Sequence, residues 1–321
     1  MKIDLSTAIK QLKSADDVVI LLHQFPDGDT VGSGYALYSA LTHLGKRARV
    51  ECAHAISKSM SYITDGVNFP LFTPKTVVAV DVADAKLLGD KNDEYPKIDL
   101  CIDHHESNTL FADNTYVDST AAATCEIIAE IIKTLCGEIS KSQATALYTG
   151  IATDTGCFKF SNTTPQTFRT AADLVERGVD TETINRIMFD TKTRARIQVE
   201  KEAMESIKYF ADGKIAIMTV TKQMRKSSGV GDGELEGLTA LPRQIEGVLM
   251  GITIRERDNT DLCKVSVRTH PPVSASEFCK QFGGGGHPRA AGCELLMRKE
   301  EALDYLSRAA IKTIEQLGID K

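Results

Sequence analysis

The sequence predicts an α/β protein: a parallel sheet with flanking helices in its first part, then a smaller α/β domain. Three observations carry this reading. Short apolar runs alternate with helix-patterned stretches through residues 1–190, as βαβ connections require. Residues 191–210 lose the strand pattern and become rich in Lys, Arg and Glu, as a linking helix would. Apolar runs then resume over residues 211–321. A chain of 321 residues is comfortable for two domains, each burying its own core.

In order, Val18–Leu22 reads as a buried strand, followed by a turn at Pro26-Asp27-Gly28 and a helix from Val31 to His43. Val77–Val80 and Ile98–Ile102 are two further strands. Ala121–Leu135 carries apolar residues at helical spacing and stops at Gly137. Gly150-Ile151-Ala152-Thr153 is a fourth apolar run, taken as another strand end, and Pro165–Arg177 is a helix ended by Gly178. Further strands are expected near Lys214–Val220, Val248–Arg255 and Cys263–Val267. A loop at Gly283–Gly286 and a helix over Lys299–Leu317 complete the chain.

Composition excludes several classes. No apolar run approaches the roughly 20 residues that span a bilayer, and the N-terminus lacks a signal-peptide core, so a cytoplasmic location is expected and no membrane partner. Eight cysteines lie scattered without a Cys-x-x-Cys pair, which speaks against a disulfide framework or a thiolate zinc site. A net charge of −6 disfavours nonspecific binding of long double-stranded DNA. It leaves room for a small phosphate substrate, because bound cations reverse the local sign of an acidic site. Two other features carry no chemistry. Leu37 replaces the third glycine of a dinucleotide fingerprint begun at Gly32-Ser33-Gly34, and the basic run Lys192–Arg196 reads as a solvated helix face.

The apolar runs end in a consistent set of residues: His23, Asp27 and Asp29; Asp81; Asp103-His104-His105; and Asp154. In an open parallel sheet, ligands bind outside the carboxyl ends of the strands, so parallel neighbours would bring all of these to one edge. Asp27 and Asp29, two apart in an extended stretch, would point the same way. His104 and His105, adjacent at a strand end, would point apart, one towards metal and one towards substrate. So many carboxylates repel one another unless cations neutralise them. Oxygen and imidazole donors without thiolate suit Mn²⁺, with Mg²⁺, Zn²⁺ or Co²⁺ as alternatives. Two such ions roughly 3.5–4 Å apart would activate water for in-line displacement at phosphorus.

His23–Ser33 (HQFPDGDTVGS), Asp81, Asp103–His105, Thr153–Phe158 (TDTGCF) and Phe282–Gly292 (FGGGGHPRAAG) resemble, in order and over nearly the whole chain, the motifs of the DHH/DHHA1 phosphoesterases. The branch they resemble best is the NrnA-like oligoribonuclease and pAp-phosphatase group. The resemblance implies a DHH domain over 1–190, a DHHA1 domain over 211–321 and an active site in the cleft between them. It implies that His23, Asp27 and Asp81 bind one Mn²⁺ and that Asp29, Asp81, His104 and Asp154 bind another. Asp103 would orient a ligand histidine, and His105 would meet the scissile phosphate. The substrate would be short oligoribonucleotides or pAp (adenosine 3′,5′-bisphosphate), and a homodimer would fit the group.

In the second domain, consecutive glycines leave backbone N–H groups unobstructed for a phosphate. Gly284, Gly285, Gly286, His287 and Arg289 therefore resemble the family's substrate loop. Arg268, followed by Thr269 where the family commonly has Ser, resembles its phosphate-binding arginine. Glu236-Gly237-Leu238 and Pro242–Val248 also fit the group and are expected to shape the cleft. A phosphodiesterase acting on cyclic or linear dinucleotides shares all of these motifs and stays open as an alternative. A nucleotide-binding regulator without catalysis is the alternative from outside the enzymes.

Overall fold

The computed structural model describes residues 1–231, 235, 237–258 and 260–318. They fall into two units, Met1–Thr191 and Lys192–Lys321. Glu236 lies outside the described residues.

The first unit runs α1 (Leu5–Ser14), β1 (Val18–Leu21), α2 (Gly28–His43), β2 (Ala48–Glu51), α3 (Ser61–Thr64), β3 (Thr76–Val80), α4 (Lys91–Glu94), β4 (Leu100–Asp103) and β5 (Asn114–Val117). The helices α5 (Thr124–Cys136), α6 (Lys141–Asp154), α7 (Pro165–Glu176) and α8 (Thr181–Asn185) follow. All five strands are parallel, in the order β2-β1-β3-β4-β5. The order reverses between β1 and β3, so their carboxyl ends open the crevice where such sheets bind ligands.

The strands β1, β3 and β4 are buried on both faces, which is why they read as unbroken apolar runs. Val18, Ile20, Val78, Val80, Leu100 and Ile102 pack into the larger core with α1, α2, α5 and α6. Val19, Leu21, Val77, Ala79 and Cys101 face the other way, against Leu88, Tyr95 and Ile98. The flanking strands β2 and β5 escaped the sequence reading. Each mixes polar residues into four positions, ARVE and NTYV, because an edge position needs less apolar surface.

The structure corrects two local expectations. The run ending at Asp154 is the last turn of α6, not a strand. That helix is buried around most of its circumference, with Ala144, Ala146, Leu147, Tyr148, Ile151 and Ala152 all inside, so it shows no polar stripe to reveal its period. The helix α2 also begins earlier than expected, at Gly28, with Asp27 as its N-cap. Asp27 and Asp29 therefore sit on a helix start instead of alternating along an extended stretch.

The second unit contains α9 (Arg194–Glu205), β6 (Lys208–Phe210), β7 (Ile215–Val220), α10 (Lys222–Ser228), β8 (Met250–Glu256), β9 (Leu262–Thr269), α11 (Ala275–Lys280), β10 (Gly285–His287), β11 (Ala290–Leu296) and α12 (Lys299–Gln316). Its sheet is mixed, in the order β10-β11-β9-β8-β7-β6, with only β7 and β8 parallel. Ile217, Ile252, Val267 and Ala291 point to one face and pack with Phe278, Leu306 and Ile314. Met218 and Val220 point to the other, where Val199, Ala203 and Leu238 cover them. The helix expected over 191–210 is α9, and its buried side belongs to this second core. Gly285 and Gly286, expected in a loop, form part of the short edge strand β10.

Candidate metal centre

The residues singled out at the ends of β1, β3 and β4 do converge, and the end of α6 joins them. Asp27 caps α2, its Oδ1 accepting from Asp29 N (3.0 Å) and Thr30 N (3.1 Å). That leaves its other oxygen free and faces its charge towards His23, whose Nε2 lies 3.6 Å from Asp27 Oδ1. Asp29 is fully buried, and its carboxylate caps a second helix: Oδ2 accepts from Thr124 N (2.6 Å) and Oδ1 from Cys125 N (2.8 Å) at the start of α5. Two helix N-termini thus meet one acidic cluster, a favourable alignment of positive dipole ends with negative charge.

Asp81 occupies the middle. It follows β3 with φ +59°, and Asp81 N donates to Ile102 O at 2.9 Å, which turns the side chain over the sheet edge. Its Oδ2 lies 3.6 Å from His23 Nε2, and its Oδ1 lies 3.7 Å from His104 Nε2. One carboxylate thereby stands between His23 with Asp27 on one side and His104 with Asp29 and Asp154 on the other. His105 Nδ1 also lies 3.7 Å from Asp81 Oδ1, so that Asp81, His104 and His105 form a third candidate donor group. Thr124 Oγ1 donates to Asp81 Oδ1 at 3.0 Å and holds that oxygen in place. Neither Thr124 nor Asn108 was expected from sequence; a polar residue at the start of an apolar helix was the available signal for Thr124.

The two adjacent histidines do not diverge as a strand pair would. Beyond Asp103 the chain leaves β4, and the rings lie edge to face with centroids 4.4 Å apart. His104 Nδ1 is 3.2 Å from Ala121 O, so the proton that bonds this carbonyl sits on Nδ1 and Nε2 is the nitrogen turned to the carboxylates. That Nε2 is buried; Asp154 Oδ2 lies 3.3 Å away without the alignment of a hydrogen bond. A buried imidazole nitrogen with no hydrogen-bond partner among the described residues, aimed among three carboxylates, fits a divalent cation.

Asp103 holds a histidine, as expected of an orienting residue, and the histidine is His105. Its Oδ1 accepts from His104 N (2.8 Å) and faces His105 Nδ1 (2.7 Å), while its Oδ2 accepts from Asn108 Nδ2 (2.6 Å). It orients His105, and Ala121 O orients His104. With both oxygens engaged and no exposed surface, Asp103 is held out of the donor groups.

Electrostatics agree with a missing positive charge. Burial alone would lower the pKa of His23, but Asp27 and Asp81 outweigh it and push it up to about 10. Burial likewise opposes, and Asp154, Asp29 and Asp81 overcome, a shift of His104 to about 10. Asp29 is driven well above the usual carboxylate range by burial and then by the charges of Asp81 and Asp154. Burial and the charges of Asp81 and Asp27 also raise Asp154, against the pull of His104. Protons on the histidines stand in here for what cations would supply.

Comparison with known proteins now bears on this geometry. Residues 17–151 match the DHH family, N-terminal domain, and residues 212–316 match the DHHA1 domain. Over 295 residues the chain is 31% identical to the bifunctional oligoribonuclease and PAP phosphatase NrnA of Thermus thermophilus, covering 87% of this chain and 84% of that one. The chain belongs to the DHH family. It is accordingly a phosphoesterase, a hydrolase acting on phosphoester bonds. Among solved structures, an exopolyphosphatase-related protein from Bacteroides fragilis shares the fold with a TM-score of 0.88 and 24% identity, covering 98% of this chain and 96% of that one. An exonuclease RecJ bound to manganese shares it more distantly, with a TM-score of 0.54 and 10% identity over 95% of this chain and 92% of that one. Among the described residues, no helix is long and apolar enough to cross a membrane.

Within the DHHA1 domain, the sequence-predicted residues divide into presented and structural positions. The register aligns His287 with Ala290, Ala290 with Arg268, and Arg268 with Gly251 across four neighbouring strands. Directly opposed residues share a face, so His287 and Arg268 stand on one side of the sheet with only an alanine between them. His287 is exposed and Arg268 half-buried. Thr269, in contrast, is fully buried, and its hydroxyl donates to Pro288 O at 3.1 Å. Arg289 is exposed but donates to Val273 O. Both tie down the turn between β10 and β11. Gly284 is required by packing, since a Cβ there would lie 2.2 Å from Gly292 O; Gly286 is required by its φ of +139°. Gly285 has open space beside it and is the bare backbone of the edge.

Proposed function

We propose that this DHH-family phosphoesterase hydrolyses short oligoribonucleotides to mononucleotides and removes the 3′-phosphate of pAp. The observation that carries the reading is Asp81, one oxygen towards His23 and the other towards His104, between two donor groups. The naming of the Thermus thermophilus relative as oligoribonuclease and PAP phosphatase supports the substrate class. His23, Asp27 and Asp81 hold one divalent cation; Asp29, Asp81, His104 and Asp154 hold the other. Manganese is the preferred ion, on the chemistry of an oxygen and imidazole donor set and on the manganese-bound RecJ of the same fold. When bound, the cations supply Lewis acidity and make water nucleophilic near neutral pH.

The chain's own residues supply positioning and charge. Asp103 fixes the His105 ring through Nδ1. Burial opposes protonation of His105, but Asp103 and then Asp81 outweigh it and raise its pKa. With Nδ1 held by Asp103, Nε2 of His105 is the ring nitrogen left to meet the phosphoryl oxygens and the departing alkoxide. Arg268, His287 and the bare backbone at Gly285 engage the nucleotide's phosphates, with Arg289, Thr269 and Gly284 holding the turn that presents them.

The test offers purified protein pAp, di-adenylate, cyclic di-AMP and pyrophosphate in parallel, with manganese and then with a chelator. Release of phosphate from pAp and of AMP from di-adenylate, both lost on chelation, is the expected result. Turnover of cyclic di-AMP alone would move the assignment to cyclic dinucleotides. Metal analysis of the loaded protein should find about two ions per chain.

A further inference from the structure

We propose that Arg243 is a second phosphate-binding arginine beside Arg268, whose phosphate contact belongs to the proposed function, and that Arg243 selects nucleotides bearing a phosphate besides the one hydrolysed. The inference rests on the nucleotide-hydrolase reading for its substrate but on the second unit alone for its geometry.

Arg243 lies in a short 3-10 turn, Pro242–Gln244, packed on the sheet. Gly251 on β8 makes this possible: a Cβ there would lie 2.6 Å from Arg243 N and 3.0 Å from the Pro242 carbonyl carbon. Gly251 is directly opposite Arg268, so the turn that fills the place of its missing side chain brings Arg243 onto the face from which Arg268 projects. On the other side of Arg268 stands Ala290, again short, and then His287. Along the row His287, Ala290, Arg268, Gly251, the backbone of Arg243 covers Gly251 beside Arg268, and an exposed imidazole stands two strands away. Neighbouring strands about 4.8 Å apart put roughly 10 Å between His287 and Arg268, the scale of a nucleotide.

Among the described residues, neither guanidinium has a carboxylate partner. Other half-buried or buried arginines, such as Arg49, Arg177, Arg196 and Arg225, pair with a carboxylate: Glu51, Asp173, Glu200 and Asp258. Among the described residues, Arg268 donates only to the neighbouring Val267 O, at 3.1 Å, and Arg243 forms no ion pair. Arg243 Nε is buried with no hydrogen-bond partner at all. Burial and then the charge of Arg243 lower the pKa of Arg268. Two adjacent cations desolvated without an acid are costly, and a bound phosphate offsets that cost with bidentate hydrogen bonds.

The experiment uses the full chain. Steady-state kinetics with manganese compare pAp, which keeps a 5′-phosphate after hydrolysis, with adenosine 3′-monophosphate, which has none. Calorimetric titration with adenosine 5′-monophosphate, without added metal, reads the site directly. Arg243→Gln should raise KM for pAp about 10–100-fold with kcat within about threefold, and weaken 5′-monophosphate binding by a similar factor. KM for the 3′-monophosphate should change less than about twofold. Arg243→Lys should fall between the two, since it keeps the charge and loses the fork. Equal increases in KM for both substrates, or unaltered titration of Arg243→Gln, would overturn the proposal. A wild-type protein that binds 5′-monophosphate through Arg243 yet turns over neither substrate would refute the reaction and leave the site standing.

Discussion

Asp81 shows how one residue can be tested without confusing chemistry with backbone. Its φ of +59° is a left-handed conformation that Asn and Asp tolerate better than other non-glycine residues. Alanine would therefore lose the carboxylate and strain the turn together. Asp81→Asn keeps the turn and removes only the charge. It should lower bound metal well below the wild-type stoichiometry and reduce turnover at least about 10²–10³-fold, measured by metal analysis and by phosphate release. Asp103→Asn makes the contrasting case. Asp103 accepts three hydrogen bonds and belongs to neither donor group, so its variant should retain metal while losing roughly 10–100-fold in turnover as His105 loosens. Full loss of metal in Asp103→Asn would place it among the ligands instead.

At the scale of elements, the centre depends on how closely α2 and α6 cross. Gly28 and Gly32 on α2 leave no room for side chains: a Cβ would lie 2.3 Å from Thr153 Oγ1 at the first and 2.4 Å from Ala146 O at the second. From the other helix, a Cβ on Gly150 would lie 2.3 Å from Cys125 Sγ and 2.9 Å from both Asp29 Cα and Asp29 Oδ1. This crossing places the last residue of α6, Asp154, beside the first turn of α2. Gly150→Ala decides between two opposed effects. Alanine favours a helix interior by about 1 kcal/mol over glycine, whereas overpacking costs about 1–3 kcal/mol. Because the obstructing atoms include backbone and a carboxylate held by two N–H groups, the clash should win. Urea unfolding should show net destabilisation, and turnover should fall as Asp29 and Asp154 separate. A more stable, fully active Gly150→Ala would show that the helices can part without consequence. These glycines are visible in the sequence, but their spacing alone does not say which helix they meet.

For the whole molecule, pH and metal should act on the same charges. The folded-state pKa values of His23 and His104, about 10, exceed the ordinary 6.5, so their contribution to stability is complete below about pH 6.5 and is lost as pH rises through about 10. Without metal, the melting temperature should therefore fall across that window. Saturating magnesium, which replaces those protons as the neutralising charge, should flatten the fall, so the gap between loaded and metal-free protein widens with pH. Calorimetry in buffers of different ionisation enthalpy should detect protons released on metal binding near pH 7.5; no release would show that the histidines are neutral before metal arrives. The sequence by itself determined the parallel sheet and its buried central strands, and it singled out the residues that gather at the candidate metal centre. Apolar runs buried on both faces and abrupt changes to Asp and His at their ends are local signals. The edge strands β2 and β5, the helical nature of the run before Asp154 and the partners of Asp103 came only from tertiary structure. So did the meeting of Arg243 with Arg268, since a strand register and an absent side chain at Gly251 join residues that nothing in their own segments relates. Local pattern records what each segment must bury; which segments bury it together is decided when the chain packs.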